Sequence, residues 1–230
     1  SKNGGHIPFL ISQTKKDSLL DLKWYESKGE NTQIIVKDLA GDYVAINPEF
    51  RLPETNSKNN WKYMKNKANL KPIHFSLFKD YETPKKIQLF FMPDLNYGLY
   101  HGIVIGSKFY NKGVTFNKLN LELKPLYSSQ EKTLVGSLGG SYTFQNQGKI
   151  NFRTQLGISA SSYFYNKKYR YQILVPRISF YFRTPDLRSN KRHYLNLFYY
   201  DVKREGFIDA DPNYKIFNLR HNFTNRNAIY

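Results

Sequence analysis

Apolar and polar side chains alternate through two long arms of the sequence between Lys132 and Tyr165. Alternation with a period of two predicts β-strands, because successive side chains of a strand point to opposite faces. Asn146-Gln147-Gly148 separates the arms and predicts a three-residue hairpin loop. The apolar parity consists of Leu134, Leu138, Tyr142 and Phe144 in the first arm and Ile150, Phe152, Leu156, Ile158, Ala160 and Phe164 in the second.

The length of these arms indicates a membrane β-barrel. Each arm spans roughly 14 to 17 residues, whereas strands of soluble domains average about 5–6 residues. A strand rises about 3.3 Å per residue, so an arm tilted near 45° stands roughly 30 Å tall. That height matches the hydrocarbon core of a bilayer, which is about 30 Å thick.

The same alternation recurs toward the C-terminus and predicts an antiparallel, up-and-down outer-membrane β-barrel with about eight strands in this segment. Its clearest element is a ladder of Leu119, Leu121 and Leu123 opposite Lys118, Asn120, Glu122 and Lys124. Such strands close a small barrel or form part of a larger one. A soluble lipocalin-like barrel or sandwich is the alternative. The predicted strands are 86–92, 97–110, 116–127, 132–145, 150–165, 171–183, 193–205 and 213–223, with short connections that include 93–96 and 111–113.

The first part of the chain predicts a different organisation. Short strands at 6–11, 19–25, 32–36 and 43–46, separated by polar turns, indicate a β-sandwich fragment over residues 1–55 that is small for an independent core. Residues 56–84 are predicted to form an Asn/Lys-rich linker, in which Trp61 and Tyr63 are alternatively interfacial anchors. Residues 85–230 form the predicted transmembrane strands. The chain opens at Ser1 without a signal peptide, which suggests a mature or excised part of a longer polypeptide.

The amino-acid composition agrees with a β-barrel, and the net charge indicates which kind of partner the chain would bind. The chain has 19 Tyr and 17 Phe, which is usual for a barrel with aromatic girdles, and it contains no Cys. No apolar run of about 20 residues occurs, which argues against a transmembrane helix. Lys and Arg number 35 against 18 Asp and Glu, for a formal net charge of +17. This excess favours anionic partners, namely outer-membrane lipid and lipopolysaccharide.

Motifs for catalysis are missing from the sequence. His6, His74, His101, His193 and His221 show no metal-ligand spacing, and no H-E-x-x-H occurs. His101 lies near the end of the predicted strand 97–110, on the outward parity of Leu99 and Ile103, where an interfacial role is favoured over metal ligation. The stretch Gly136-Ser137-Leu138-Gly139 lies inside a strand and lacks the strand-to-helix elbow of a G-x-S-x-G nucleophile. We therefore assign no catalytic, cofactor-binding or metal residue to this chain and leave open whether its parent is an enzyme.

Charged residues suggest two further features. Glu122 and Lys124 predict an ion pair in the barrel interior, as part of a structural network. Basic residues gather near the ends of the predicted strands. They are interpreted either as solvated rims of the barrel or as residues that contact lipid phosphates. Nucleic-acid binding is not expected, since the aromatic residues follow strand parity instead of forming a soluble basic face. The rim residues are Lys85, Lys86, Lys167, Lys168, Arg170, Arg188, Lys191, Arg192, Lys203 and Arg204.

Four phrases of the sequence resemble one family. They are NPEFRLPETNSKNNW (47–61), FKDYETPKKIQLFFMPDLNYGLYHGIVIGSKFYNK (78–112), LKPLYSSQEKTLVGS (123–137) and FRTPDLRSNKR (182–192). Together they resemble the C-terminal part of large Bacteroidetes-type outer-membrane proteins, in which a gluzincin-like zinc aminopeptidase module precedes a β-barrel. The resemblance implies a cell outer-membrane location, a barrel that continues beyond Tyr230, and zinc only in an upstream domain.

These expectations lead to several functional hypotheses. The first is a barrel that anchors a peptidase-like periplasmic or surface module to the outer membrane. The second is a barrel subunit of a larger outer-membrane complex for transport, secretion or assembly, which would bind other outer-membrane proteins. The third is zinc aminopeptidase activity that resides in the upstream domain. A conducting pore would require a wide lumen.

Overall fold

The computed structural model describes residues 8–27, 33–36, 40–52, 56–66, 70–78, 82–114, 116–146, 149–186, 188–206 and 213–225. These residues form thirteen strands in two sheets and one 3₁₀ turn, so the predicted all-β class is confirmed. The chain divides into two compact units: Ser1–Leu89 with Gly113–Phe116, and Phe90–Lys112 with Asn117–Tyr230. Within the described ranges, no helix has the length and apolar character needed to cross a membrane.

The first unit contains a four-stranded sheet in the order β2-β1-β3-β4. Its strands are β1 (Pro8–Lys15), β2 (Ser18–Glu26), β3 (Tyr43–Ile46) and β4 (Trp61–Tyr63). The strand predicted at 32–36 is wrong over its described part, since 33–36 have no regular structure, and residue 32 lies outside the described residues. The segment expected as a linker, 56–84, contains the 3₁₀ turn Ser57–Asn60, β4, and β5 (Ile73–Leu77).

Asp42 holds the strand ends of this small sheet together. Its carboxylate accepts a hydrogen bond from the Lys16 backbone N–H at 3.0 Å and pairs with the Lys65 ammonium at 3.1 Å. These contacts lower the pKa of Asp42, with the Lys16 hydrogen bond as the main cause. Tyr43, Ala45 and Trp61 pack as a buried cluster beside it. Asp42 therefore links the β1–β2 turn, through Lys16, to the end of β4, through Lys65.

The second sheet has nine strands in the order β13-β12-β11-β10-β9-β8-β7-β6-β5. From β6 to β13 each strand is antiparallel to the next in the chain, and the described strands do not close into a barrel, since β13 and β5 end the order. The bounds are β6 Ile87–Gly98, β7 Gly102–Tyr110, β8 Leu119–Ser128, β9 Thr133–Gln145, β10 Asn151–Asn166, β11 Tyr169–Arg183, β12 Lys191–Arg204 and β13 Tyr214–Asn225.

The predicted hairpin is confirmed as β9 and β10, although Gln147 and Gly148 of its loop lie outside the described residues. The predicted connection at 93–96 is wrong, because β6 continues through Pro93, which pairs with Ser107. The chain turns instead at 99–101, between the paired residues Gly98 and Gly102. Gly102 has φ +65°, a conformation that glycine adopts without steric cost. The predicted strand 97–110 is therefore divided between β6 and β7.

The two faces of the nine-stranded sheet differ sharply. One face, here named the apolar face, carries Leu119, Leu121 and Leu123 of β8. It also carries an unbroken row of apolar residues that runs across the six strands β8 to β13. The opposite face, here named the charged face, carries Asp94, Lys108, Glu122, Lys124 and Arg177. The apolar row consists of Leu119, Tyr142, Leu156, Ile178, Leu197 and Leu219, each paired with the next across neighbouring strands.

Burial in this sheet follows the charged face. Phe90 and Val202 are each only 1% exposed and lie on that face, whereas Leu121 and Leu219 of the apolar face are 49% and 59% exposed. Other buried residues of the charged face are Val104, Leu126, Ser128, Val135, Thr143 and Ser179. The sheet therefore shields its polar side and leaves its apolar side open, which is the reverse of a soluble β-sheet.

Candidate functional site

On β6, β7 and β8 the charges of the charged face neutralise one another. The Lys124 ammonium lies 2.6 Å from the Asp94 carboxylate, and the Lys108 ammonium lies 3.0 Å from the Glu122 carboxylate. Glu122 and Lys124 thus form ion pairs, but each pairs with a residue of another strand and not with the other. Lys108 lies on β7, which is adjacent to β8, whereas Asp94 lies on β6, so the long Lys124 side chain reaches across β7 to its partner.

Small residues form the middle of the charged face on β9 and β10. Ser137, Gly139 and Ser141 lie beside Ser161, Ser159 and Gly157. A cavity of about 320 Å³ is lined by all of these residues except Gly157, together with Glu122 and Arg177. Gly157 has a direct packing role, because a Cβ there would lie 2.6 Å from Nε of Arg177. The small side chains therefore leave room for the Arg177 side chain and for the cavity.

On β10 to β13 the charged face carries six arginines and no acidic residue. None of the six forms an ion pair with any described residue. Several guanidinium groups lie over aromatic rings, and the closest is Arg153, whose Cζ is 3.7 Å from the centroid of Tyr181. This group, here named the arginine wall, consists of Arg153, Arg177, Arg183, Arg192, Arg204 and Arg220.

His101 joins the β6–β7 turn to β10. Its Nε2 accepts a hydrogen bond from the Phe164 backbone N–H at 3.0 Å, and its ring packs edge-on against Tyr163 and Phe164 at centroid distances of 5.9 Å. Burial lowers the pKa of His101, and the Glu131 carboxylate opposes that shift. The contact requires an unprotonated Nε2, so His101 is a structural acceptor at the end of the sheet beside the cluster of Val104, Leu126 and Val135.

Two of the remaining histidines, on β12 and β13, lie in contact with each other. His193 and His221 are stacked at a centroid distance of 5.4 Å, with Nδ1 and Nε2 in hydrogen-bond contact at 3.2 Å. Sequence spacing missed this pair because it joins adjacent strands across 28 positions. His74 is exposed on β5, and His6 lies outside the described residues. Over the part of the chain that the structure describes, no group of three or more metal-ligating side chains is found.

The Gly136–Gly139 stretch lies entirely within β9, so Ser137 is an ordinary strand residue of the charged face. Gly136 has φ +136°, and a Cβ there would lie 1.9 Å from the Lys124 carbonyl oxygen. Gly136 therefore permits the close approach of β8 and β9.

In comparisons with known proteins, no protein-family model, curated protein or solved structure matches the chain. Function must therefore be inferred from the two faces of the nine-stranded sheet.

Proposed function

We propose that the nine-stranded sheet is the bilayer-spanning part of an outer-membrane β-barrel, with its apolar face toward lipid and its charged face toward a polar interior. The observation that carries this proposal is the inverted burial of the two faces. A water-soluble barrel of the lipocalin kind buries its apolar face, and an apolar side chain gains roughly 1.5–3 kcal/mol on leaving water. A row of six apolar residues exposed to water would forgo that gain at every position.

Strand length supports the same proposal. Strands β9 to β13 have 13, 16, 15, 14 and 12 residues, and a bilayer-spanning strand needs about 9–11 residues. Lys167 and Lys168 are exposed in the β10–β11 turn, next to the strand ends. Cations at this height would meet the phosphate groups of outer-membrane lipid and lipopolysaccharide, with a gain of about 1 kcal/mol each.

A matched pair of substitutions on β10 tests the proposal. Ile158 is 46% exposed on the apolar face, and its neighbour Ser159 lies on the charged face. In Ile158→Lys the new cation would meet lipid, at a cost of roughly 2–4 kcal/mol near the bilayer midplane. In Ser159→Lys the new cation would meet the polar interior and be tolerated.

The measurement is flotation of the purified full chain with phospholipid vesicles, together with its solubility with and without detergent. We expect the unmodified chain and Ser159→Lys to float with vesicles and Ile158→Lys to float much less. A chain that stays monodisperse in plain buffer and does not float contradicts the proposal, as does an equal loss for both variants.

A second candidate is a barrel subunit within a larger outer-membrane assembly. It is favoured by β13, which pairs along its described length only with β12 and so leaves its other edge without a described partner strand. An unpaired strand edge recruits another strand. Purification of the full-length protein in mild detergent tests this function, and recovery of a single polypeptide argues against it.

The anchor role for a gluzincin-like peptidase module is supported by the sequence resemblance alone. Zinc content and aminopeptidase activity of the full-length protein test that role. A full-length protein without bound zinc and without activity would leave the barrel as a structural element only.

A further inference from the structure

The arginine wall concentrates positive charge without a carboxylate partner among the described residues. No Asp or Glu occurs on the charged face of β10 to β13, and Arg183 lies directly opposite Arg192 in a cross-strand pair. Like charges in such a pair destabilise a sheet. The neighbouring strands β6 to β8 place a carboxylate beside Lys108 and beside Lys124. The contrast indicates that no described residue supplies the compensating anion for β10 to β13, which suits these strands to an external anion.

Some guanidinium N–H groups of the arginine wall also have no hydrogen-bond acceptor among the described residues. Nε of Arg153 is buried and has no hydrogen-bond partner among the described residues. The guanidinium groups of Arg177 and Arg220 form no hydrogen bond or ion pair with any described residue, and that of Arg220 lies over the Phe198 ring at 6.0 Å. A guanidinium presents its N–H groups as a planar fork that matches carboxylate, sulfate and phosphate oxygens.

The residues between these arginines are polar and uncharged. One cross-strand row contains Gln155, Ser179, Asn196 and Arg220. Gln155 Nε2 donates to Ser141 Oγ at 3.2 Å, and Oδ1 of Asn218 is buried without a described partner. Amides and hydroxyls in this density suit a ligand that is rich in hydroxyl groups.

We propose that the arginine wall binds an acidic carbohydrate, whose anionic groups lie on Arg153, Arg177 and Arg220 and whose hydroxyls bond the amide and hydroxyl side chains between them. This inference rests on the proposed function, because a charged face directed away from lipid meets solutes and not lipid headgroups. Single-stranded nucleic acid fits less well. The Tyr181 ring is covered by Arg153 and packed edge-on against Tyr194 at 5.4 Å, which leaves no open face for stacking bases.

The test uses the full chain in nonionic detergent, with dextran sulfate as the probe and neutral dextran of the same length as the control. Binding is measured by isothermal titration calorimetry. The wall variant is Arg153→Gln/Arg177→Gln/Arg220→Gln, and the charge-matched control is Lys167→Gln/Lys168→Gln/Lys191→Gln at the rims. We expect the unmodified chain to bind dextran sulfate and not dextran. The wall variant should bind at least tenfold more weakly, and the rim variant less than threefold more weakly.

Three outcomes overturn the proposal: no binding by the unmodified chain, equal losses in the two triple variants, or tighter binding of a thymidine oligonucleotide than of dextran sulfate. Circular dichroism checks the fold of each variant. If the wall variant is misfolded, Arg177→Lys replaces it, since it keeps the charge and removes the planar fork; a several-fold weakening is then expected, and unchanged affinity is a contradiction.

The two proposals fail separately. Should the chain prove soluble without detergent, the same titrations run in plain buffer. A wall variant that still loses affinity there would leave the carbohydrate site in place while removing the lipid-facing assignment.

Discussion

The two halves of the charged face differ in how their cations are compensated. On β6 to β8, Lys108 and Lys124 each contact a carboxylate within 3.0 Å. On β10 to β13, six arginines face the same side without a described carboxylate partner. Both halves share one sheet and one strand geometry, so backbone structure does not explain the difference. Internal ion pairs make the first half a fixed structural network, whereas the second half retains donors for an external anion.

The largest expected effect comes from β9, which lies between the two halves. Gly136→Ala would place a Cβ 1.9 Å from the Lys124 carbonyl oxygen at a φ of +136°, so the β8–β9 contact must shift. We expect a loss of roughly 2–3 kcal/mol in the free energy of unfolding. In the control Gly139→Ala, the nearest atom is 3.9 Å away, and little change is expected. Denaturant titration in detergent micelles, followed by circular dichroism, compares the two; equal losses would show that space at Gly136 is unimportant.

Neutralising one charged residue in each half of the charged face tests the comparison directly. Asp94 is only 11% exposed, so Asp94→Asn leaves the Lys124 ammonium without its carboxylate and should cost roughly 1–2 kcal/mol. Arg177→Gln removes a cation that has no ion-pair partner and reduces like-charge repulsion, so stability should stay unchanged or rise. The same denaturant titrations measure both variants. A greater loss for Arg177→Gln than for Asp94→Asn would contradict the distinction between the halves.

A smaller, pH-dependent effect is expected at His101, which connects the β6–β7 turn to β10. Its lowered pKa means that the fold favours the neutral ring. The stability that the neutral His101 ring contributes is present above pH 6.5, the ordinary pKa of a histidine. It is lost as pH falls below that value, because the unfolded chain then binds the proton more readily than the folded chain does. His101→Gln keeps an acceptor for the Phe164 N–H and should remove this loss. Unfolding midpoints at pH 7.5 and pH 5.5 measure this loss in the unmodified chain and in His101→Gln. An equal change in midpoint between the two pH values in both proteins would refute the assignment.

The smallest effect is expected for Glu122→Gln. The Glu122 side chain is 47% exposed, so solvent screens its ion pair with Lys108. The change in the free energy of unfolding should lie within about 0.5 kcal/mol. Comparison with Asp94→Asn in one titration series separates exposure from charge as the cause. A loss at Glu122 as large as that at Asp94 would mean that the two pairs act as one network.

Much of the nine-stranded sheet could be predicted from the sequence. The alternation of Leu119, Leu121 and Leu123 with charged residues assigns each to a face, because side-chain direction in a strand depends only on position parity. The strands from β8 to β13 were located in the same way. The turn at 99–101 was missed because Pro93 is a stronger sequence signal for a break than Gly98 and Gly102 are for a turn.

The arginine wall was also missed, although a signal for it existed. Arg153, Arg177 and Arg220 each fall on the polar parity of their own strand, opposite Phe152, Ile178 and Leu219. Position near a strand end instead groups Arg192 and Arg204 with the predicted rims, and only the pairing of the strands shows that four strands direct arginines to one face. The inverted burial of the sheet likewise follows from which face is shielded, and no single strand contains that information.

By itself, the sequence determined which residues share a face, since the period of a strand is a local property of the chain. Only the tertiary structure decided the partners: Lys124 with Asp94, His193 with His221, and His101 with the Phe164 N–H. These contacts join positions between 28 and 63 residues apart. The register between strands sets them, and register depends on turns and cross-strand packing that no single segment encodes.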